Sequence, residues 1–192
     1  MAEDKITSIN NFKNKFTSVR SNLFKLTFPN IDTNDFIKNN FIRGDLIKDI
    51  YIYCKSTELP SHNMGITSVQ YFGRSFKTSG DKTFDPINIT FYNSQDFAIL
   101  NFIDWWLNNI NKIDNNSEMF KEGKGKYDYF LNFDLHQLDR RNNTIKTFNF
   151  YDAFPTKRSE ISLNMTETDT IEEFTVTFEY QFWSTPELNE VD

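Results

Sequence analysis

Residues 171–183 read IEEFTVTFEYQFW. Every second side chain is apolar: Phe174, Val176, Phe178, Tyr180 and Phe182 fall on one face. Glu173, Thr175, Thr177, Glu179 and Gln181 fall on the other. A repeat of two is the period of a strand; a helix would space its apolar positions by three and four. One greasy face and one wet face predict an antiparallel strand that packs on a core from one side only.

The same signature recurs outward from this stretch. SNLFKLTF (21–28) sets Phe24, Leu26 and Phe28 against Lys25 and Thr27, and Pro29 ends it. KDIYIYCKS (48–56) predicts a strand with Ile50, Ile52 and Cys54 on one face, broken by Leu59-Pro60. Residues 64–78 read as extended, with a turn near Gly73. Residues 87–92 alternate again. Further strands are predicted over 127–138, with Tyr129, Leu131, Phe133 and Leu135 aligned, and over 144–151. A turn through AFPTKRSE then leads to a short strand at 161–165.

Two stretches carry the helical period instead. Residues 5–19 place Ile6, Ile9, Phe12, Phe16 and Val19 on one face. Residues 94–110 place Phe97, Leu100, Ile103, Leu107 and Ile110 on one face, after a polar start at 93–96, with Trp105 and Trp106 beside the stripe. A short helical turn is expected near 35–41, and 111–126 reads as a polar loop. Strands do not alternate with helices, so a doubly wound parallel sheet is excluded. The expectation is a mainly β fold: an antiparallel sandwich or barrel with one flanking helix and a short N-terminal helix. It forms a single domain over 1–192, with a core at 21–183, a helical arm at 1–20 and a short tail at 184–192.

Composition narrows the function classes. The chain has 192 residues, 21 of them Phe, and only 6 Gly and 5 Pro, which suits a folded, sheet-rich domain. One cysteine, Cys54, excludes an internal disulfide framework. With only His62 and His136 beside it, no zinc-binding spacing exists. No cofactor is expected. The opening MAEDKITSINN lacks the apolar stretch of a secretory signal, and no apolar run reaches the ~20 residues of a membrane helix. The net charge of −6 is unevenly spread. After Arg158 the chain holds nine acids and no Lys or Arg, whereas residues up to Arg158 carry an excess of three positive charges. Such polarity suits a solvated acidic edge or contact between copies.

Residues 73–86, GRSFKTSGDKTFDP, resemble the wording of a phosphate loop, but the chemistry fails. Gly73 and Gly80 stand two residues too far apart, Asp81 puts a carboxylate where phosphate would sit, and a strand follows rather than a helix. His136 lies on the polar face of its strand and is read as an exposed histidine, not a catalytic one. Cys54 reads as a small core hydrophobe. Glu173 and Glu179 lie about 20 Å apart along a strand, too far to flank one bond. No G-x-S-x-G elbow is present, and no basic stripe with interleaved aromatics marks a nucleic-acid groove. The chain is therefore expected not to be an enzyme.

Several motifs in order carry a resemblance: SNLFKLTF, CKSTELP (54–60), SGDKTFD (79–85), FIDWW (102–106) and EEFTVTFEYQFW (172–183). From about Ser21 to Trp183 the chain resembles the tail tube protein of T-even-type contractile bacteriophages. The resemblance implies a barrel-like fold with a flanking helix, hexameric rings and their stacking into a hollow tube. It implies a contractile sheath outside, a tape-measure protein inside, baseplate and tail-terminator partners at the ends, and viral DNA in transit but not specifically bound. The place of action would be the virion, after assembly in the host cytoplasm. The stretch 29–47 and the end after Trp183 look longer than in that family. On this reading Glu173, Thr175, Thr177, Glu179 and Gln181 are candidates to face the lumen. Arg74, Lys77 and Lys82 are candidates to meet acids such as Glu172 or Glu187 on the next ring, and Asp81 is a further candidate for contact between rings. A tube or tube-initiator subunit of a related injection or secretion system is the alternative, and a small-molecule-binding barrel is a third class.

Overall fold

A computed structural model describes residues 18–29, 31, 49–111, 129–166 and 168–186, with Ile9 and Phe12 as isolated positions. The predicted N-terminal helix lies almost wholly outside these residues. The turn at 35–41, most of the 111–126 loop and Glu187 lie outside them too. The described strands are β1 (Phe24–Thr27), β2 (Cys54–Thr57), β3 (Asn63–Tyr71), β4 (Arg74–Thr83), β5 (Ile87–Tyr92), β6 (Leu131–Leu138), β7 (Thr144–Arg158), β8 (Glu173–Glu179) and β9 (Phe182–Ser184). They are joined by the helices α1 (Ile50–Tyr53) and α2 (Ala98–Ile110).

Seven strands form one antiparallel sheet in the order β1-β6-β7-β8-β5-β2, with β9 beside β7. Strand β7 spans the fold. Its first part pairs with β6 and β9, and its second part, from Phe154, pairs with β8. The change of partner follows Asp152, which takes a left-handed backbone conformation (φ 53). Its N–H is held by the Asn132 side chain at 3.0 Å. Asp is one of the few residues that adopt this conformation at modest cost. The predicted break after Tyr151 is thus a bend, not an end. The expected turn through AFPTKRSE is strand, and Pro155 fits because it stands at a register shift where its missing N–H does little harm. Residues 161–165 are not a strand but an irregular loop.

The bend folds the sheet around one core. Phe178 of β8 meets Phe133 of β6 at 5.7 Å and Trp106 of α2 at 6.0 Å between ring centroids. Phe133 stacks on Phe150 at 4.4 Å, and Phe150 meets Tyr180 edge-on. Helix α2 is fixed by two polar ties. The Trp106 indole N–H donates to the Tyr129 carbonyl at 2.9 Å, and Arg158 Nε pairs with Asp104 at 2.7 Å.

Three predicted faces shift. Helix α2 starts at Ala98 and buries Ala98, Ile99, Phe102, Ile103 and Trp106. The stripe through Leu100, Leu107 and Ile110 only flanks the core. In the observed setting the Trp106 indole N–H reaches the Tyr129 carbonyl. Phe97 caps the helix in a left-handed conformation. Residues 50–53 coil instead of extending, so Ile50 is buried while Ile52 is 60% exposed. The alternation of 171–183 also changes phase at Gln181, so Trp183 is buried and Phe182 is not.

Candidate assembly surfaces

The outward face of the β8 half of the sheet gathers the residues expected to line a lumen. Their order along β8 sets Glu173 opposite Tyr92, Thr175 opposite Thr90 and Thr177 opposite Asn88. Hydroxyls and amides are tied to one another. Thr90 and Thr175 share a hydrogen bond of 2.9 Å, and Thr177 donates to the Asn88 side-chain oxygen at 2.7 Å. Glu173 forms an ion pair with Lys55 of β2, whose ammonium also lies over the Tyr92 ring. That carboxylate raises the Lys55 pKa. Lys157 of β7 stands beside Thr177. The face is therefore hydroxyl-rich and charge-compensated rather than acidic, because Lys55 and Lys157 arrive from strands far away in sequence. Glu179 is half-buried and Gln181 exposed.

Strands β3 and β4 form a separate two-stranded sheet, an arm whose residues are almost all exposed. Its turn is Phe72-Gly73, with φ 46 and 74. Two successive positive φ values make the tight turn whose twist suits a hairpin. Gly73 is therefore the turn glycine that the sequence suggested, but Gly80 is not one. It lies inside β4 beside a bulge, where an added Cβ would stand 3.0 Å from the Gly65 carbonyl carbon. The register puts Thr67, Val69 and Tyr71 on one face with Arg74, Phe76 and Thr78. Met64, Ile66, Ser68 and Gln70 lie on the other, with Ser75, Lys77, Ser79 and Lys82. An apolar face on an unsupported hairpin is unusual, since two strands alone are marginally stable in water. The sequence showed an extended segment with a turn but could not show that the body leaves this face open.

At the root of the arm, Lys82 lies over the Phe84 and Trp183 rings, and the Asp85 carboxylate accepts from Ser61 and Asn63. Arg74 sits beside the turn at the tip.

A cleft of about 680 Å³ opens at the other end of the β5–β8 pair. Lys55 and Tyr92 line it together with residues 161–164 and 169–173. Leu163 and Ile171 are exposed there, as is the nearby Met165. Asn93 donates to the Glu172 carboxylate at 3.0 Å. The candidate contacts thus separate within one copy. Arg74, Lys77, Asp81 and Lys82 belong to the arm, while Glu172 belongs to the cleft rim.

On the far side of the sheet, His136 is half-buried, not exposed. Its ring nitrogens bond to the Thr27 and Thr147 hydroxyls at 2.9 and 3.0 Å. Burial lowers its pKa and raises that of neighbouring Asp134, which accepts from Asn149. Burial also pushes the Cys54 thiol up to about 12. Among the described residues, no group of three or more His, Cys, Asp or Glu is placed to hold a metal ion, and no helix is long and apolar enough to cross a membrane.

Comparison with known proteins addresses the family. The chain is 27% identical over 137 residues to a tail tube protein of Serratia phage KSP90, covering 71% of this chain and 75% of that one. The fold matches a chain of the anti-feeding prophage baseplate (TM-score 0.59, 13% identity, 88% of this chain and 96% of that one). It also matches a chain in the sheath/tube terminator of the extracellular contractile injection system PVC (TM-score 0.58, 15% identity, 89% and 98%). The family model described as phage tail tube protein matches residues 10–186, so the chain belongs to the phage tail tube proteins, a family of structural proteins and not of enzymes.

Proposed function

We propose that six copies of this chain close into a ring and that rings stack into the inner tube of a contractile phage tail. The carrying observation is the pair of open edges. Among the described residues, β1 and β2 end the sheet with no further strand beside them. Unpaired edges invite addition of another chain, and a closed array of sheets has no edges left. Edge-to-edge joining of six copies offsets both liabilities at once. The sheath would surround this tube, the tape-measure protein would fill it, and the baseplate and terminator would bind its ends, with assembly in the host cytoplasm before DNA passes.

The hydroxyl-rich outward face of β5 and β8 supports a role as the lumen wall. Glu173, Thr175, Thr177, Glu179 and Gln181 would face DNA with few unpaired charges and few unsatisfied donors, so phosphates would find little to hold. Electron microscopy of the purified protein tests the reading: hollow rods built of sixfold rings are expected, and a dispersed monomer at every concentration would refute it. Replacing both Glu173 and Glu179 with Lys removes two negative charges and adds two positive ones per copy, and DNA ejection from assembled tails should slow. Contacts between rings would join Arg74, Lys77 and Lys82 to Glu172 and Glu187, with Asp81 beside them. Single exposed ion pairs contribute about 0–1 kcal/mol, but a ring repeats each one.

A further inference from the structure

Tyr180 is 7% exposed, and its ring meets Phe150 edge-on at 4.9 Å. Its hydroxyl is sealed from water yet meets no hydrogen-bond partner among the described residues. A buried tyrosine hydroxyl normally has a partner, because leaving it without one costs free energy. Burial pushes the phenol up to about 12, and the Asp85 and Glu179 carboxylates add to the rise. Those two acids are therefore the acceptors at hand. Glu179 precedes Tyr180 along the strand, and its side chain takes the opposite face of the sheet. Asp85 is left.

Asp85 stands at the root of the arm, between β4 and β5. Its neighbour Phe84 packs against Tyr180 at 6.1 Å between ring centroids. Asp85 accepts from the Ser61 hydroxyl at 2.9 Å and from the Asn63 side-chain amide, and these two residues lead into β3. Both donors meet the same oxygen, Oδ2. No donor among the described residues meets Oδ1. Asp85 is exposed, so its carboxylate has room to turn.

Trp183 supplies a pivot beside it. The indole N–H donates to the Ser61 carbonyl at 3.2 Å, and the His62 ring lies against the indole at 4.2 Å. From the β4 side, the Lys82 ammonium lies over the same indole at 5.8 Å. The entry to β3 and the exit from β4 thus both rest on one buried ring. Beyond this root the arm is almost wholly exposed. Segments with so few buried contacts are the ones that open locally.

From this we infer that the root of the arm is a two-position latch. In the described setting Asp85 holds the entry to β3 through Ser61 and Asn63, and when the arm swings on Trp183 it accepts from the Tyr180 hydroxyl instead. Asp85 is satisfied in both settings and Tyr180 only in the second. The bond gained there offsets part of what the two broken bonds cost, and a hydrogen bond to a carboxylate is among the stronger kinds. The latch lies within one copy and does not rest on the tube reading.

Amide exchange of the dispersed subunit, at concentrations too dilute for assembly, tests the latch. Tyr180→Phe keeps the ring and removes only the hydroxyl. The released arm then loses its bond, so exchange along β3 and β4 should slow at least threefold, with a urea midpoint equal to or above that of wild type. A hydroxyl already satisfied in the described setting, by a fixed water for example, gives the opposite signs: faster exchange and a lower midpoint. Either that result or unchanged exchange in the arm would overturn the latch. Asp85→Ala removes both positions at once. Exchange in the arm should then exceed that of wild type, and adding Tyr180→Phe should alter it no further. Additive effects of the two substitutions would show that Asp85 and Tyr180 never meet. A chain that stays monomeric at every concentration would refute the tube reading and leave these outcomes unchanged.

Discussion

The sheet body and the β3–β4 arm are written in the same alternating code but end in opposite environments. In the body, Phe91, Phe133, Phe150, Phe174 and Phe178 are sealed from water around Trp106. In the arm, Phe76 is 65% exposed and Val69, on the same face, is 55% exposed. Both regions carry β-forming apolar residues, and only in the first does the rest of the described chain cover them. Alternation records that a face is destined for burial; it does not record which molecule covers it. On the proposed assembly, a face left open on a two-stranded hairpin would be covered by another copy.

The strongest way to separate the two regions is to remove an aromatic from each. Trp106→Ala deletes a ring packed on Phe102 and Phe178 and breaks the bond to the Tyr129 carbonyl. Large-to-small changes at such sites cost about 3–5 kcal/mol, so urea unfolding of the subunit should shift by that amount. Phe76→Ser in the arm should leave subunit unfolding within about 0.5 kcal/mol of wild type, as expected for a surface site. It should nonetheless shorten or abolish tubes seen by electron microscopy. If Phe76→Ser destabilises the lone subunit as Trp106→Ala does, the arm is packed on its own body and the contrast fails.

A second prediction acts on the arm's backbone. Gly80→Val forces a branched side chain against the Gly65 backbone, which a Cβ already meets at 3.0 Å. Crowding of this kind costs about 1–3 kcal/mol. The cost should appear as faster amide exchange along β3 and β4 with slow exchange retained in β6 and β8. Loss of protection across the whole protein would show that arm and body unfold as one unit.

How much of this was legible in the sequence depends on how local the deciding interaction is. The strand of 173–179 was plain because one face per strand is the whole signal. The bend at Asp152 was not, because FYDAFPT carries the same residues whether the strand ends or turns, and the Asn132 side chain that holds it is 20 residues away. The helical turn at 50–53 was missed for a related reason: IYIY alternates perfectly, yet Ile50 is buried, Tyr53 flanks the core, and Ile52 is exposed. Among the site residues, Glu173, Thr175, Thr177 and Glu179 alternate with buried neighbours as read, Gln181 lies past the change of phase, and the cations beside them were not legible. Lys55 reaches Glu173 across 118 residues of chain. The apolar face of the arm was hidden in plain sight, since nothing local marks an uncovered face.

The smallest effect predicted concerns a polar cluster on the body, which has no counterpart on the arm. His136 is held between the Thr27 and Thr147 hydroxyls. The groups facing it are Asp134, which favours the charged ring, and Lys25, which opposes it, and burial leads the net lowering from 6.5. An unfolded chain therefore takes up this proton at a higher pH than the folded one does. Stability should be full above about pH 7 and fall as the pH drops through 6.5 toward the lowered folded value. Asp134 acts in the other direction and lower down. Its folded pKa is raised above 3.8, so protonation favours the fold as the pH falls through that raised value. His136→Asn should flatten the dependence of urea midpoint on pH between about 7 and 5.5. It should leave the more acidic limb in place. Arm variants such as Lys77→Ala should leave both limbs untouched, because none of the groups that shift His136 or Asp134 lies in β3 or β4. An unaltered slope in His136→Asn would mean that the proton taken up on unfolding belongs to another group.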